Sequence, residues 1–476
     1  MRGLGAADGP PGWAPLYDRA MSVNLMRELA AVLPPEGLVT DSDVLEAHRR
    51  DQAGWAEAGI PRVLVRPAST AEVQAVLRIA AAHRVPVVAR GAGSGLSGGA
   101  NAVDGCIVLS LARMNRVLEV DRRGLYAVVQ PGVLNATVKA AAAEHGLWYA
   151  PDPASWEFST IGGNVATNAG GLCCVKYGVT GDAVLGLEAV LADGSVVRTG
   201  GRTVKNVAGY DLSRLFVGSE GTLGIVTEVT LKLRPRPPPA TTLVASFPTL
   251  VGAGAAVTEI MATTRPSLLE LMDRATVRAV EAFRPMELDV DSAALLLARS
   301  DAGGEQGVAE CTRMVAACEA AGATFVAHSS DQAEGELLIT ARRLALPALE
   351  RQGDILLDDV GVPLSRIAEL CAAIERIAEQ RGVLIGTFGH AGDGNMHPTL
   401  VFNRDNPDAV ARARLAFDDI LRAVLELGGT ITGEHGVGTL KRPFLAAQLG
   451  PESVRLHRAI KDALDPHGIL NPGKLL

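Results

Sequence analysis

Apolar and polar positions along the chain change their pattern at a cluster of prolines, residues 235–239. Before this cluster, a short β-branched run (RVLVRP), a segment with apolar residues at helical spacing (STAEVQAVLRIAAAHR) and a second apolar run (VPVVARG) predict a βαβ unit. Ser69 and Glu72 have the spacing of a capping box at the start of the helix. Further on, Asp193 and Gly194 predict a tight turn between two strands.

After the prolines, short apolar runs (TTLVASF, AALLLARS and ATFVAHS) alternate with amphipathic segments such as EQGVAECTRMVAACEAAG. This alternation predicts an antiparallel sheet with helices on one face. A helix at SRIAELCAAIERIAEQRG and a strand at VLIGTFG then lead into a loop that contains two histidines. The chain is therefore predicted to have an α+β fold, with a domain boundary at the proline cluster.

Two glycine-rich stretches stand out in the first half, RGAGSGLSGGA at residues 90–100 and PDPASWEFSTIGGNVATNAGG at residues 151–171. Gly93, Gly95 and Gly98 fit the G-x-G-x-x-G spacing, but a dinucleotide-binding Rossmann fold requires a helix next, and CIVLSLARMNRVLEV begins as a strand. We therefore reject that fold. The first loop alone is equally compatible with a phosphate-binding loop and a flexible hairpin. Both stretches together favour a long cofactor with a polyphosphate.

Composition excludes several classes of protein. The chain has 476 residues, 48% of them apolar, which supports two or three domains. A formal net charge of -8 argues against a nucleic-acid partner. The six cysteines form no CxxC, so iron–sulfur and zinc-ribbon sites lack their usual spacing, and so few cysteines suit a reducing compartment.

No targeting or membrane segment is expected. The Gly/Pro-rich start lacks the apolar core of a signal peptide, is predicted to be disordered, and leaves Met21 open as an alternative start. The uncharged stretch at residues 237–258 contains four prolines, which argues against a membrane helix. A cytoplasmic location is expected, and peripheral association with the inner face of the membrane stays open.

The two glycine-rich stretches, together with VGSEGTLGIVTEV, resemble the PCMH-type FAD-binding domain of the vanillyl-alcohol-oxidase superfamily. The motifs GHAGDGNMHP, GEHGVG and NPGK resemble the C-terminal domain of FAD-linked oxidases. Within this family the likeness is to glycolate oxidase flavoprotein subunits, D-lactate dehydrogenases and D-2-hydroxyglutarate dehydrogenases. It implies a PCMH-type FAD-binding domain of two α+β subdomains at 25–236, a ferredoxin-like antiparallel-sheet substrate domain at 237–430, and a segment at 431–476 that returns to the flavin. Residues 1–24 precede the resemblance and are expected to form the disordered extension.

The resemblance also implies which residues hold FAD. Backbone amides of the first loop would wrap the pyrophosphate, the second stretch would run beside the flavin, two residues of GIVTEV would lie near the adenine, and an asparagine of NPGK would reach the flavin region. These residues are Arg90, Gly91, Ala92, Gly93, Ser94, Gly95, Leu96, Ser97, Pro151, Asp152, Ser155, Thr160, Gly162, Gly163, Thr167, Asn168, Ile225, Val226 and Asn471. The first loop has no histidine or cysteine that could tether the cofactor, so noncovalent FAD is expected.

In dehydrogenases of this family, two histidines and the glutamate of EHG bind a divalent metal, and the matching residues are His390, His397 and Glu434. Such a set leaves coordination positions open, as in catalytic zinc sites, so zinc is expected, although iron, manganese or cobalt could use the same ligands. Without the resemblance, two histidines seven positions apart are more often polar surface residues. Positive φ angles are expected at three glycines that let the loop curl around one ion, Gly389, Gly392 and Gly394.

The resemblance assigns two catalytic residues. His435 matches the proposed general base, and it would take the hydroxyl proton while the C2 hydride passes to flavin N5. Arg342, with Arg343 as a rival, matches an arginine that pairs with the substrate carboxylate.

Two departures from hydroxyglutarate dehydrogenases bear on the substrate. Where those enzymes place a lysine upstream of a D-x-x-x-P motif, this chain has Leu357 before Asp359. After His397 it has Pro398 and Thr399, where those enzymes keep an asparagine. Both departures favour a small monocarboxylate, glycolate or D-lactate.

Three alternatives stay open: a D-2-hydroxyglutarate dehydrogenase, a transferase similar to alkyl-dihydroxyacetone-phosphate synthase, and an FAD-binding subunit that is active only in a complex. Since no cysteine cluster could carry electrons onward, a separate acceptor is expected: an iron–sulfur subunit, an electron-transfer flavoprotein, a cytochrome or a quinone pathway. A homodimer also stays open.

Overall fold

The computed structural model describes residues 19–476, and it has the α+β fold that the sequence predicts. Three main β-sheets of four, five and eight strands follow one another along the described chain, and two further short strands form a fourth, two-stranded sheet. The predicted disordered extension falls mostly on residues 1–18, which lie outside the described residues. The first helix already begins at Arg19, so the prediction of disorder up to residue 24 is wrong for its last part.

The first sheet contains the predicted βαβ unit. Its strands are β1 (Leu38–Val39), β2 (Val63–Val65), β3 (Val87–Arg90) and β4 (Ile107–Ser110), and its helices are α1 (Arg19–Val32), α2 (Ser42–His48) and α3 (Thr70–His83). The strand order is β1-β2-β4-β3, with β4 parallel to both β2 and β3. Ser69 caps α3 by accepting a hydrogen bond from Glu72 N at 3.2 Å. The chain runs from β3 through the first glycine-rich loop into β4 without a helix, which agrees with the rejection of a Rossmann fold.

The second sheet is antiparallel throughout, in the order β5-β6-β10-β8-β9. Its strands are β5 (Val117–Asp121), β6 (Tyr126–Val129), β8 (Val184–Val190), β9 (Val196–Gly200) and β10 (Ile225–Lys232), while β7 (Leu147–Trp148) pairs with β11 (Arg234–Pro235). The helices are α4 (Asn135–Glu144), α5 (Ile161–Thr167), α6 (Cys174–Tyr177), α7 (Thr180–Ala183) and α8 (Leu212–Phe216). The predicted turn at Asp193 and Gly194 is confirmed, since it joins β8 to β9 and Gly194 has a φ of +80°.

The second glycine-rich stretch is not only loop, because it contains α5. Thr160 caps this helix by accepting from Gly163 N at 3.3 Å, and Asn168 ends it with a φ of +53°. Two glycines lie in the first turn of α5, and glycine is a poor helix former, so helix propensity does not predict this helix. Gly162 is required by space, since a Cβ there would lie 2.6 Å from Pro131 Cβ.

The third sheet has the order β15-β12-β14-β13-β18-β19-β16, with β17 paired to β19, and every pairing is antiparallel. Its strands are β12 (Thr241–Phe247), β13 (Leu268–Asp273), β14 (Ala294–Ser300), β15 (Phe325–Ser329), β16 (Asp354–Leu357), β17 (Val360–Gly361), β18 (Leu384–His390) and β19 (Asn395–Phe402). The helices are α9 (Leu250–Thr263), α10 (Arg274–Phe283), α11 (Gly304–Ala320), α12 (Gln332–Arg343), α13 (Ala345–Glu350), α14 (Ile367–Arg381) and α15 (Pro407–Glu426).

Helices cover both faces of this sheet, so the prediction of helices on one face is wrong. One core packs strand residues against α9, α11, α14 and α15, and a second core packs the alternate strand residues against α10, α12 and α13. The sequence of β14, ALLLARS, contains the continuous apolar run that is typical of strands buried on both faces. The uncharged stretch at 237–258 forms β12 and part of α9. Within residues 19–476, no helix is long and apolar enough to cross a membrane.

The end of the chain returns to the first sheet after α16 (Arg442–Leu449) and α17 (Pro451–Leu464). Val87 of β3 donates to Ile469 O at 2.8 Å and accepts from Asn471 N at 2.8 Å. Leu470 therefore lies beside β3 as a short parallel addition to the sheet. The first and last segments of the described chain thus meet next to the first glycine-rich loop.

Candidate active site

A hairpin of β18 and β19 carries the two candidate metal-binding histidines. His390 ends β18, His397 lies in β19, and the register places His397 opposite Phe388. Because residues two apart on a strand share a face, both imidazoles project from the same face of the sheet. The predicted histidine loop is a short hairpin connection, since both histidines lie in strands and only residues 391–394 connect them. Of the three glycines expected to have positive φ, only Gly394 does, at +82°.

Glu434 reaches the histidines from a separate turn, residues 432–436. Its Oε1 lies 3.2 Å from His390 Nε2 and 3.3 Å from His397 Nε2. One ligand atom from each of the three residues lies within 4.8 Å of the others. The structure therefore brings together the three ligands that the sequence predicts, and two imidazoles with one carboxylate are the kind of three-ligand set found in catalytic metal sites.

Each histidine has a second carboxylate at its other ring nitrogen. Glu270 Oε1 lies 2.7 Å from His390 Nδ1, and Asp359 Oδ1 lies 3.7 Å from His397 Nδ1. At His390 this contact is a hydrogen bond of the kind that fixes a metal-binding ring so that the opposite nitrogen faces the ion, whereas His397 Nδ1 makes no hydrogen bond within residues 19–476 and Asp359 acts on it only as a nearby charge. Neither role is predicted from the sequence, where Asp359 marks only the position of the missing lysine and no motif marks Glu270.

A second group of possible ligands, Asp359 with His397 and His435, also has three atoms within 4.8 Å. Asp359 is already engaged by the protein, however. Its Oδ2 accepts from Thr432 Oγ1 at 2.7 Å and from the backbone N–H groups of residues 433–435 at 2.9–3.0 Å, and its Oδ1 accepts from Asn395 Nδ2 at 2.7 Å. Asp359 therefore holds the turn that carries Glu434, and the group that contains Glu434 is the better cation site.

Charge within the site shifts the pKa values of the candidate ligands. Burial disfavours the charged imidazolium of His390, but the carboxylates of Glu270 and Glu434 outweigh burial and raise the pKa of His390 well above its usual value. Burial similarly disfavours the ionised form of Glu434, but His390 and His397 hold the pKa of Glu434 well below its usual value. The site is thus an electrostatically coupled cluster in which a bound cation would take the place of the proton on an imidazole.

The candidate base His435 stacks on His397, with ring centroids 5.2 Å apart and planes inclined by 8°. In the described part of the chain, neither ring nitrogen of His435 makes a hydrogen bond. Burial lowers the pKa of His435, although Asp359 opposes this shift. The neutral imidazole is therefore favoured, and this is the form that can accept a proton.

Arg342, at the end of α12, lies on the same face of the sheet as the histidines. Its Nε is 2.8 Å from Glu270 Oε2, a close ion pair that is not aligned as a hydrogen bond, and its guanidinium lies over the Phe388 ring, 4.6 Å from the centroid. The rival Arg343 is 53% exposed and pairs with Glu336 at 3.5 Å. The structure therefore places Arg342, and not Arg343, beside the candidate ligands.

The first glycine-rich loop has the free donors that an anionic cofactor requires. In the part of the chain that the structure describes, the backbone N–H groups of residues 92–97 donate to no other group, and Arg90 Nη1 is buried without a partner. The loop packs closely on α5, because a Cβ on Gly91 would lie 2.3 Å from Thr160 Oγ1. Unpaired amides beside a buried guanidinium fit the pyrophosphate of FAD.

Several other residues predicted to hold FAD already have protein partners for their side chains. Asn471 Nδ2 donates to Gly99 O at 2.9 Å, and Asn168 Oδ1 accepts from Gly181 N at 2.8 Å. Ile225, at the start of β10, is buried in a hydrophobic core. The remaining residues of the second stretch lie in α5 or in the segment that leads to it, residues 151–160.

The candidate metal ligands border both glycine-rich stretches. A Cβ on Gly170 would lie 2.5 Å from Glu434 Oε2, which shows how closely the second stretch approaches this ligand. Ser97 of the first loop donates to His435 O at 3.1 Å and to Gly436 O at 2.8 Å. A cofactor held by the two stretches would therefore lie next to the histidine hairpin.

Comparison with known proteins matches two parts of the chain to known families. Residues 61–200 match the family described as "FAD binding domain", and residues 236–475 match "FAD linked oxidases, C-terminal domain". The chain is 44% identical over 418 residues to the glycolate oxidase subunit GlcD of Bacillus subtilis (strain 168), covering 87% of this chain and 89% of that protein. The chain belongs to the FAD-linked oxidases.

Other FAD-linked oxidases resemble it over nearly the whole length. A D-lactate dehydrogenase of Anaerostipes hadrus is 36% identical over 455 residues, which cover 93% of this chain and 95% of that protein. Among solved structures, p-cresol methylhydroxylase with substrate bound has a TM-score of 0.81 at 20% identity and covers 96% of this chain and 97% of that one. This likeness shows that the chain has the PCMH-type fold that its sequence predicts.

Proposed function

We propose that this FAD-linked oxidase oxidises a small D-2-hydroxy acid, glycolate or D-lactate, to the 2-oxo acid. The observation that carries the proposal is the convergence on one face of the third sheet of the buried Arg342, the His435 ring stacked on His397, and the set of His390, His397 and Glu434. Relatives named as a glycolate oxidase subunit and a D-lactate dehydrogenase support this substrate class.

Each group of residues has a separate role in the proposed reaction. FAD, held by the glycine-rich stretches, would accept the two electrons of the oxidation, and a divalent metal, expected to be zinc, would polarise the substrate as a Lewis acid. His390, His397 and Glu434 would hold the metal. Arg342 offers parallel N–H donors to the substrate carboxylate, and His435 accepts the proton that the hydroxyl group loses.

The residues on β16 and β19 favour a small substrate with a single carboxylate. Leu357 lies in β16 and pairs in register with Thr399 of β19, next to the strand segment that carries His397. An apolar side chain at this position offers no cation to a second carboxylate. Desolvating an unpaired charged group costs about 1–3 kcal/mol or more, so D-2-hydroxyglutarate should be a poor substrate.

An anaerobic titration of the purified yellow protein tests the activity. Glycolate or D-lactate should bleach the visible absorbance of the flavin in proportion to the substrate added, with a higher kcat/KM than D-2-hydroxyglutarate. A preference for hydroxyglutarate would show that another cation replaces the missing lysine. Acid precipitation should release the flavin into the supernatant, and colour that stays with the pellet would contradict noncovalent FAD.

Variants separate the proposed metal ligands from the proposed base. His390→Ala or Glu434→Ala should lose both bound metal and turnover. His435→Ala should keep metal and flavin but slow flavin reduction by roughly 10²–10⁴-fold, the usual contribution of a general base. If elemental analysis finds no divalent metal and EDTA leaves the reduction rate unchanged, the metal role fails.

Re-oxidation of the flavin requires a separate electron acceptor in this proposal. Within residues 19–476, all six cysteines are free and none belongs to a candidate metal group, so the chain offers no iron–sulfur relay of its own there. An iron–sulfur subunit, an electron-transfer flavoprotein, a cytochrome or a quinone could serve. Re-oxidation rates with each class of acceptor would distinguish them.

A further inference from the structure

Glu270 is a buried carboxylate that lies between two groups of the proposed site. It belongs to β13, and its side chain is 1% exposed. One oxygen contacts His390 Nδ1 at 2.7 Å, and the other lies 2.8 Å from Arg342 Nε. A single side chain therefore touches both a candidate metal ligand and the candidate substrate-binding arginine.

The two contacts constrain the partners in complementary ways. When Nδ1 of His390 bonds to Glu270, Nε2 faces Glu434, which is the orientation that a metal requires. When Nε of Arg342 lies against Glu270, the two terminal nitrogens of the guanidinium are left for a planar carboxylate. Phe388 supports the arginine from below, 4.6 Å from the guanidinium carbon, so its plane has little freedom.

We propose that Glu270 is a positioning residue that couples substrate binding to metal binding in this enzyme. The inference rests on the proposed function. Through one oxygen Glu270 sets the ring orientation of His390, and through the other it sets the guanidinium of Arg342. A disturbance of Arg342 is therefore transmitted to the metal through Glu270, and loss of the metal weakens substrate binding by the same route, because coupling between two sites is reciprocal.

Glu270→Gln is the sharpest test, because it changes one atom. The glutamine has one acceptor oxygen and one amide nitrogen, so it cannot accept from His390 and Arg342 together, and a donor must face one of them. On the FAD-loaded protein, Zn²⁺ affinity is measured by competition with a chelator, and KM is measured with the hydroxy acid that bleaches the flavin. We expect Zn²⁺ to bind about 10–100-fold more weakly, the usual effect of losing such a partner, and KM to rise about tenfold.

Coupling is tested by combining Glu270→Gln with Arg342→Ala. If Glu270 transmits the effect, Arg342→Ala weakens Zn²⁺ binding in the wild type but adds no further loss in the Glu270→Gln background. If the two losses multiply independently, the coupling is overturned. Glu336→Gln is the matched control, since Glu336 lies on α12, the helix that carries Arg342, and pairs with Arg299 and Arg343 at its surface. This variant should change neither Zn²⁺ affinity nor KM.

The outcomes also distinguish the inference from the proposed function. A wild type that binds Zn²⁺ and oxidises the hydroxy acid, with Glu270→Gln unchanged in both respects, overturns the inference alone. A wild type that does neither overturns the proposed function. Should Glu270→Gln fail to fold, Glu270→Asp keeps the carboxylate one methylene shorter, and an affinity that is not weakened in this variant would contradict the positioning role.

Discussion

Two neighbouring arginines at the end of α12 form a matched pair for mutagenesis. Arg342 is buried beside Glu270 and Phe388, whereas Arg343 is half exposed and pairs with Glu336. A charge-assisted hydrogen bond contributes about 1.5–3 kcal/mol, so Arg342→Ala should raise KM for the hydroxy acid by roughly 10–100-fold. Arg343→Ala should leave the steady-state kinetics unchanged, and the reverse pattern would assign the substrate carboxylate to Arg343.

At the residue scale, a functional residue can be recognised from the sequence only where its neighbours along the chain form a motif. His390, His397 and Glu434 lie in two short glycine-flanked motifs, and the structure brings them together as predicted. Glu270 and Asp359 could not be found this way. Their roles exist only because β13 pairs with β18 and because the 432–436 turn folds over the end of β16. The Glu270 contact joins residues 120 positions apart, and the Asp359 contacts join residues 73–76 positions apart, separations that local spacing does not encode.

At the scale of elements, the histidine hairpin depends on the conformation of Gly394. This residue has a φ of +82°, and a Cβ there would lie 2.1 Å from Val362 O. Gly382, at the end of α14, also has a positive φ of +59°, but open space surrounds its Cβ position. Gly382→Ala should therefore carry only the backbone penalty, about 1–2 kcal/mol.

Gly394→Ala should carry the same penalty and in addition displace the hairpin from the Val362 carbonyl. We expect a larger fall in the thermal unfolding midpoint than in Gly382→Ala, accompanied by loss of bound metal because His390 and His397 shift. Differential scanning fluorimetry and elemental analysis of both variants measure this difference. Equal midpoints and full metal content in the two variants would show that the hairpin tolerates the side chain.

Periodicity predicted most helices and strands of this chain, because an amphipathic helix or a buried strand records its burial in its own sequence. Periodicity failed where a strand is buried on both faces, and where glycines lower the helix propensity of a short helix. The strands of the third sheet are apolar on both faces, which gave no sign of how the helices divide between them. In α5, Gly162 is retained for its close approach to Pro131, at the expense of helix propensity.

At the scale of the whole molecule, Glu220 joins the second sheet region to the last part of the chain. Its carboxylate accepts from Val437 N at 2.7 Å and from Gly438 N at 2.9 Å. Burial raises the pKa of Glu220 to about 7, although these two hydrogen bonds and Lys474 oppose the shift. In the unfolded chain this carboxyl has its ordinary pKa, near 4.5.

The sign of the pH effect follows from these two values. The folded state holds the proton more tightly, so the stabilisation is fully present below about pH 4.5 and is lost as the pH rises through about 7. Glu220→Gln removes this titration. Between pH 5 and pH 8, the unfolding free energy of the variant should rise by about 2–3 kcal/mol relative to that of the wild type. The thermal unfolding midpoint of the variant should accordingly rise by a few degrees relative to that of the wild type. Parallel pH profiles for the two proteins would contradict the assignment.

The parallel addition of Leu470 beside β3 has a consequence for biosynthesis. Val87 is made long before both of its backbone partners, Ile469 and Asn471. The first sheet therefore cannot gain this outer strand until residues 469–471 have left the ribosome, although amino-terminal domains commonly fold during synthesis. A chain truncated before Ile469 would leave this early-made sheet without the added strand, so its edge would be exposed in the truncated product.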